Sequence, residues 1–288
     1  MHPAPSVIVF TTLSGLGFGL FAFLGLGLPD VSGWVAFVFF AVAYALSCAG
    51  LVASTFHLGN PKNAIYAFSQ WRSSWLSREG VMAVATLLTF GPVALGRVFL
   101  DMELTVLGGI GSVFAVLTVF TTSMIYTQLK TIARWHMWLT PVLFLLYAAA
   151  GGALLAGQAK LAGVLILAVT AAQLVVWKQG DERSTTGDLG TATGLGEIGQ
   201  VRLLESAHTA RNYILDEMAF QVGRKHVQKL RVIATICIGA LPALLLLALP
   251  AGHLTALIAV ILHVIGVAAS RWLFFAQAEH VVASYYGR

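Results

Sequence analysis

Long stretches of this sequence carry almost no charge, and that limits what it can fold into. Eight runs, residues 6–28, 34–56, 81–100, 104–126, 138–156, 161–176, 232–249 and 254–275, are apolar over roughly the length of a bilayer crossing, about 20 residues. In hydrocarbon every backbone N–H and C=O must be satisfied within the protein, so such runs fold as helices. The expectation is an all-α integral membrane protein. Eight transmembrane helices form one membrane domain over residues 1–288. Composition agrees: 10% of residues are charged, against about 25% in soluble domains. The first run lacks a basic leader and is long enough to span, so it reads as a retained helix and not a cleaved signal. Its glycines (Gly15, Gly17, Gly19, Gly25, Gly27) favour close helix contacts. The two cysteines, Cys48 and Cys237, stand alone in apolar runs, so no iron–sulfur cluster or zinc site is expected in this chain.

Charge sets the expected orientation. Of 17 Lys and Arg, 14 fall on the side that holds both termini, Arg97 and Lys160 fall on the other, and Arg271 lies within the last run. The positive-inside rule places both termini in the cytoplasm of a bacterial inner membrane. The basic residues are spread over several loops, which does not suit nucleic acid. Residues 177–230 form the one extended polar region, an expected cytoplasmic loop. Its first part is rich in Gly, Thr and Ser. Its second part places Leu215, Met218, Ala219 and Val222 at helical spacing ahead of Arg224, Lys225, Lys229 and Arg231. That pattern suits an amphipathic helix between helices 6 and 7, on the bilayer surface or against a soluble partner.

The chemistry concentrates in residues 57–79, between the second and third runs. There His57, Lys62, Arg72, Arg78 and Glu79 are interleaved with Trp71 and Trp75. An interfacial loop accounts for the tryptophans and cations. It accounts less well for His57 and Glu79, which abut apolar runs. A His and a carboxylate at such a boundary suit quinone chemistry, where protons move with electrons and each ring oxygen needs a hydrogen-bond partner. Arg271 must snorkel, pair or face a polar cavity. Glu79 is expected to pair with Arg78 or Arg271, or to lie on the proton path, and Trp75 to wall the ring. His253 and His263 have no evident partner histidine at matching depth, so haem is not expected. A polytopic transporter is the rival class, but no internal symmetry or mid-membrane carboxylates favour it.

The string FHLGNP, followed by SWLSRE, and the later GVAASRWLFF resemble the membrane-anchor subunits of the dimethyl sulfoxide reductase type. The resemblance covers most of the chain. It implies a haem-free anchor that binds ubiquinone or menaquinone and docks an iron–sulfur electron-transfer subunit, itself joined to a molybdopterin catalytic subunit. His57 and Glu79 take the quinone-site roles of the family motifs. Arg72, Trp75, Arg78 and Arg271 are added from charge and position. The long polar region and the cytoplasmic orientation are more similar to the anchor of the cytoplasmic sulfite-oxidising complex. Electrons would then pass from sulfite to quinone. The alternative is oxidation of quinol for sulfoxide reduction.

Overall fold

The computed structural model describes residues 2–56, 65–66, 68–183, 188–205, 226–250 and 252–286. His57 and Lys62 lie outside them, as do residues 206–225 of the expected amphipathic segment. The described residues form helices and their connections, with no strand among them.

The helices are α1 (Pro5–Gly25), α2 (Gly33–Thr55), α3 (Trp75–Leu100), α4 (Thr105–Thr127), α5 (Leu139–Leu155), α6 (Ala159–Arg183), the short α7 (Leu189–Thr193), α8 (Val227–Ala248) and α9 (His253–Ala276). Among the described residues seven are long and apolar enough to cross a membrane. The fifth apolar run instead forms the 17-residue α5, shorter than the others.

Apolar runs place several helix ends too far inside. The third helix begins at Trp75, so Arg78 and Glu79 lie within its first turns. The sixth continues to Arg183, and the eighth starts at Val227, so Lys229 and Arg231 open a long helix. Apolar runs mark only the lipid-facing length; helical hydrogen bonding continues wherever polar side chains find partners or water.

Helix α1 is central and packs on α2, α4, α5 and α9. Its glycines permit this. A Cβ on Gly19 would collide with the carbonyl oxygen of Ala148 in α5, and one on Gly25 with that of Gly108 in α4. Helix α2 touches α1 through a narrow stripe, Ala36, Phe40, Ala43, Ser47 and Gly50, and exposes Trp34, Val35, Val38 and Val52. Such apolar faces suit lipid. By contrast, eleven of the 17 residues of α5 are buried, which makes it an internal helix.

Among the described residues two helices carry a π turn, Gly96–Leu100 at the end of α3 and Ile236–Ala240 within α8. Pro242 follows the second. Pro242 has no N–H to give the carbonyl of Ile238 four residues back. The imidazole of His263 in α9 donates its Nδ1–H to that carbonyl at 3.2 Å.

Charged loops mark the two ends of the bundle. At one end Arg97 bridges Asp30 (2.8 Å) and Glu103 (2.9 Å). The other, called the basic end below, gathers Arg72, Arg78, Arg134, Lys178, Arg183 and Arg231.

Candidate functional site

The site is built at the basic end, where α3, α4, α5 and α9 converge beneath the connection between α4 and α5. Glu79 is 5% exposed. The hydroxyl of Thr122, on α4, donates to its Oε1 at 2.5 Å. Two turns along α3 from Glu79 and one turn along α4 from Thr122, Thr86 and Thr118 hydrogen-bond at 3.2 Å, continuing a polar seam between α3 and α4. One turn from Thr122 along α4 lies Tyr126, which is buried.

Arg271 is 3% exposed. Its guanidinium carbon sits 3.7 Å from the ring centroid of Phe144 and 5.0 Å from that of Tyr147, both on α5. Among the described residues its buried Nε has no hydrogen-bond partner. Desolvated cation–π contact offsets part of the burial penalty. Beside it, Tyr147 donates to Gln173 or Ser270, each at 2.9 Å, and Ser270 reaches Gln173 at 2.7 Å. The chain thus holds an acid and a cation in its interior, the cation set against aromatic rings.

Phe144 belongs to a larger aromatic cluster. Tyr126 meets Trp135, Phe144, Phe274 and Phe275 at centroid distances of 5.3–5.8 Å. Trp135 stacks on Phe274 at 5.2 Å and donates its indole N–H to the Phe274 carbonyl at 2.9 Å. The connection over residues 128–138 reads as an ordinary basic loop in sequence. In the fold it plugs the basic end, with Ile132, Trp135 and Met137 buried.

The other expected site residues are placed differently. Arg78 donates to the carbonyls of Trp71 (3.0 Å) and Arg72 (2.6 Å) and lies over the Trp75 ring at 4.2 Å. It closes the turn before α3 and does not pair with Glu79. Arg72 is exposed, over Trp71 at 5.5 Å. Trp75 is half-buried and meets Phe120 of α4 edge-on at 6.0 Å. Nor is an ion pair between Glu79 and Arg271 found among the described residues; the hydrogen-bond partner of Glu79 there is Thr122. Thr122, Tyr126 and Trp135 escape a reading of the sequence alone. Hydroxyls and aromatics are ordinary in apolar helices, and only helix pairing shows that these meet Glu79 or the Arg271 cluster.

Residues 1–276 match the family described as DMSO reductase anchor subunit (DmsC). The chain belongs to this family. It is a multi-pass membrane anchor subunit of an oxidoreductase, and so works in a complex with catalytic and electron-transfer subunits. The anchor is also 30% identical to a sulfite dehydrogenase subunit of Allochromatium vinosum, over 99% of both chains. No solved structure matches the anchor.

Proposed function

We propose that this anchor binds quinone at the basic end and passes electrons between an iron–sulfur subunit and the quinone pool, with sulfite as the source. The observation that carries the reading is the convergence of a buried carboxyl and a buried guanidinium on the cluster around Tyr126. Quinone reduction takes up two electrons and two protons. The residues present supply the chemistry such a ring needs: Trp135, Phe144 and Phe274 are apolar aromatics, and the Nε–H of Arg271, without a partner among the described residues, is a donor in want of an acceptor. In this reading Arg271 holds one quinone oxygen. Glu79, fixed by Thr122, holds and releases a proton. His57 serves the second oxygen by virtue of its motif. Arg72, Arg78 and Trp75 keep the entrance of α3 folded.

The proposal extends to topology. Helix α5, about 25 Å long at 1.5 Å per residue, makes the eighth crossing, its length short because other helices and not lipid surround it. Both termini and the site face the cytoplasm of a bacterial inner membrane, on the positive-inside bias. The iron–sulfur subunit docks over the plug, with the molybdopterin subunit beyond it. Similarity to a sulfite dehydrogenase subunit supports the electron source.

Washed membranes given sulfite test this. Wild type should reduce quinone. His57→Ala and Glu79→Gln should lower the rate by about a hundredfold, the scale of a lost acid–base group, while the soluble subunits stay bound. Wild-type turnover in both variants would remove the site. Sulfoxide-driven quinol oxidation with no response to sulfite would overturn the substrate and the orientation.

A further inference from the structure

Helices α6 and α8 part at the basic end. Helix α6 packs on the π turn and second half of α8, whereas the first turns of α8 lean on α9. The gap is a groove of about 480 Å³. Its α6 wall is Leu174, Trp177, Lys178 and Asp181, spaced i, i+3, i+4 and i+7. Its α8 wall presents Gln228 and Arg231, then Val232, Thr235 and Ile236 further inward, with the Thr235 hydroxyl donated to the Arg231 carbonyl at 2.8 Å.

The groove is therefore graded along its length. The helices run antiparallel, so Lys178, Asp181, Gln228 and Arg231 share the outer end. Leu174, Val232 and Ile236 share the inner end. The outer end carries an excess of positive charge. Asp181 is already held by Arg231, at 2.6 and 2.7 Å, and by Arg134, at 2.6 Å. Lys178 is exposed and makes no ion pair among the described residues. Arg231 also lies over the Trp177 ring at 5.4 Å, which keeps it against the groove floor.

We infer that this groove is a binding site for one anionic phospholipid. Its phosphate lies between Lys178 and Arg231, and an acyl chain runs inward along Leu174, Val232 and Ile236. A zwitterionic lipid would satisfy the apolar end equally but would bring a cation to a cationic mouth. A free phosphate compound would leave the apolar end empty. Basic pockets between helices at a membrane boundary select anionic headgroups in this way. The inference stands apart from the quinone reading, because no residue of the Tyr126 cluster lines the groove.

The purified complex containing this chain, delipidated and returned to detergent, is given phosphatidylglycerol or phosphatidylcholine and followed by native mass spectrometry. Phosphatidylglycerol should be retained in preference, one molecule per chain. Lys178→Glu should weaken retention at least fivefold, the worth of one surface cation. Val232→Trp should block it by filling the groove without changing charge. Lys160→Glu, at the other end of the bundle, should leave it unchanged. Equal retention of the two lipids, or indifference to both groove variants, overturns the site. Displacement by millimolar glycerophosphate would make the ligand a soluble phosphate, and displacement by a short-tailed quinone alone would give the groove to quinone; either ends the lipid reading.

Discussion

His263 shows how an ionisable residue deep in an apolar helix can serve structure. It is fully buried, and its Nδ1–H satisfies the Ile238 carbonyl that Pro242 leaves open. The two residues should therefore be energetically coupled. His263→Leu should destabilise the chain by about 1–3 kcal/mol, the penalty for an unsatisfied buried carbonyl. Pro242→Ala restores an N–H four residues after Ile238, so the double variant should recover about 1 kcal/mol of that loss. Strict additivity in thermal unfolding would show that the imidazole does not serve the carbonyl. Part of this was legible: a proline in an apolar run announces a freed carbonyl, and a histidine in another announces a group that needs a partner. Their pairing was not, since Pro242 and His263 lie 21 positions apart across a turn. Glu79 and Arg271 stood out for the same reason as His263. Thr122 and Tyr126 could not, because their types are unremarkable until α4 is set against α3 and α9.

Glycine spacing in α1 is a statement about which helices it meets. Gly19 lies against the backbone of Ala148 and Gly152, so the axes of α1 and α5 approach more closely than side chains allow. Gly19→Leu should prevent this approach and yield little folded chain on detergent extraction. Gly15→Leu, where a Cβ meets nothing within 4 Å, should extract normally. Equal yields would mean that α1 is not the hub. The number of apolar runs was readable from sequence, whereas the internal position of α5 was not, because hydropathy does not distinguish lipid from protein as the apolar neighbour. Beyond α9 the chain turns through Val281–Tyr286, and the N–H of Val282 donates to Nδ1 of His280 at 3.1 Å. Burial holds this imidazole below its ordinary value. The neutral form is thus favoured in the fold, and its stabilising contribution is complete above about pH 6.5. It is lost as pH falls below that value, when the unfolded chain gains a proton that the folded one resists. Hydrogen-exchange protection of the Val282 amide should fall between about pH 7 and pH 5 in wild type. A protection factor that stays flat over that range would disprove the link.

At the scale of the molecule, the basic end is a set of separate polar pieces drawn together by one carboxylate. Asp181 at the end of α6 binds Arg134 from the plug and Arg231 from α8, so three segments distant in sequence meet there. Arg134 reaches it by crossing Gly180, where a Cβ would lie 2.8 Å from its Nη1. The plug in turn fixes Trp135 on Phe274, three residues from Arg271. The clamp therefore acts on the candidate quinone site through the plug, without touching it. Asp181→Ala should release Arg134 and Arg231 to repel one another and loosen the cover over the Tyr126 cluster. Because the side chain of Asp181 is 46% exposed, solvent screens the clamp and the loss should be modest, about 1 kcal/mol. For a chain of this size that is a fall in Tm of about 2–4 °C. The fall should be largest at low ionic strength and shrink near 1 M salt, where the screening length drops to about 3 Å. An undiminished gap at high salt would assign the effect to packing. No gap at either salt would mean that the three segments are held by their apolar contacts alone, and that the cover over the site does not depend on charge.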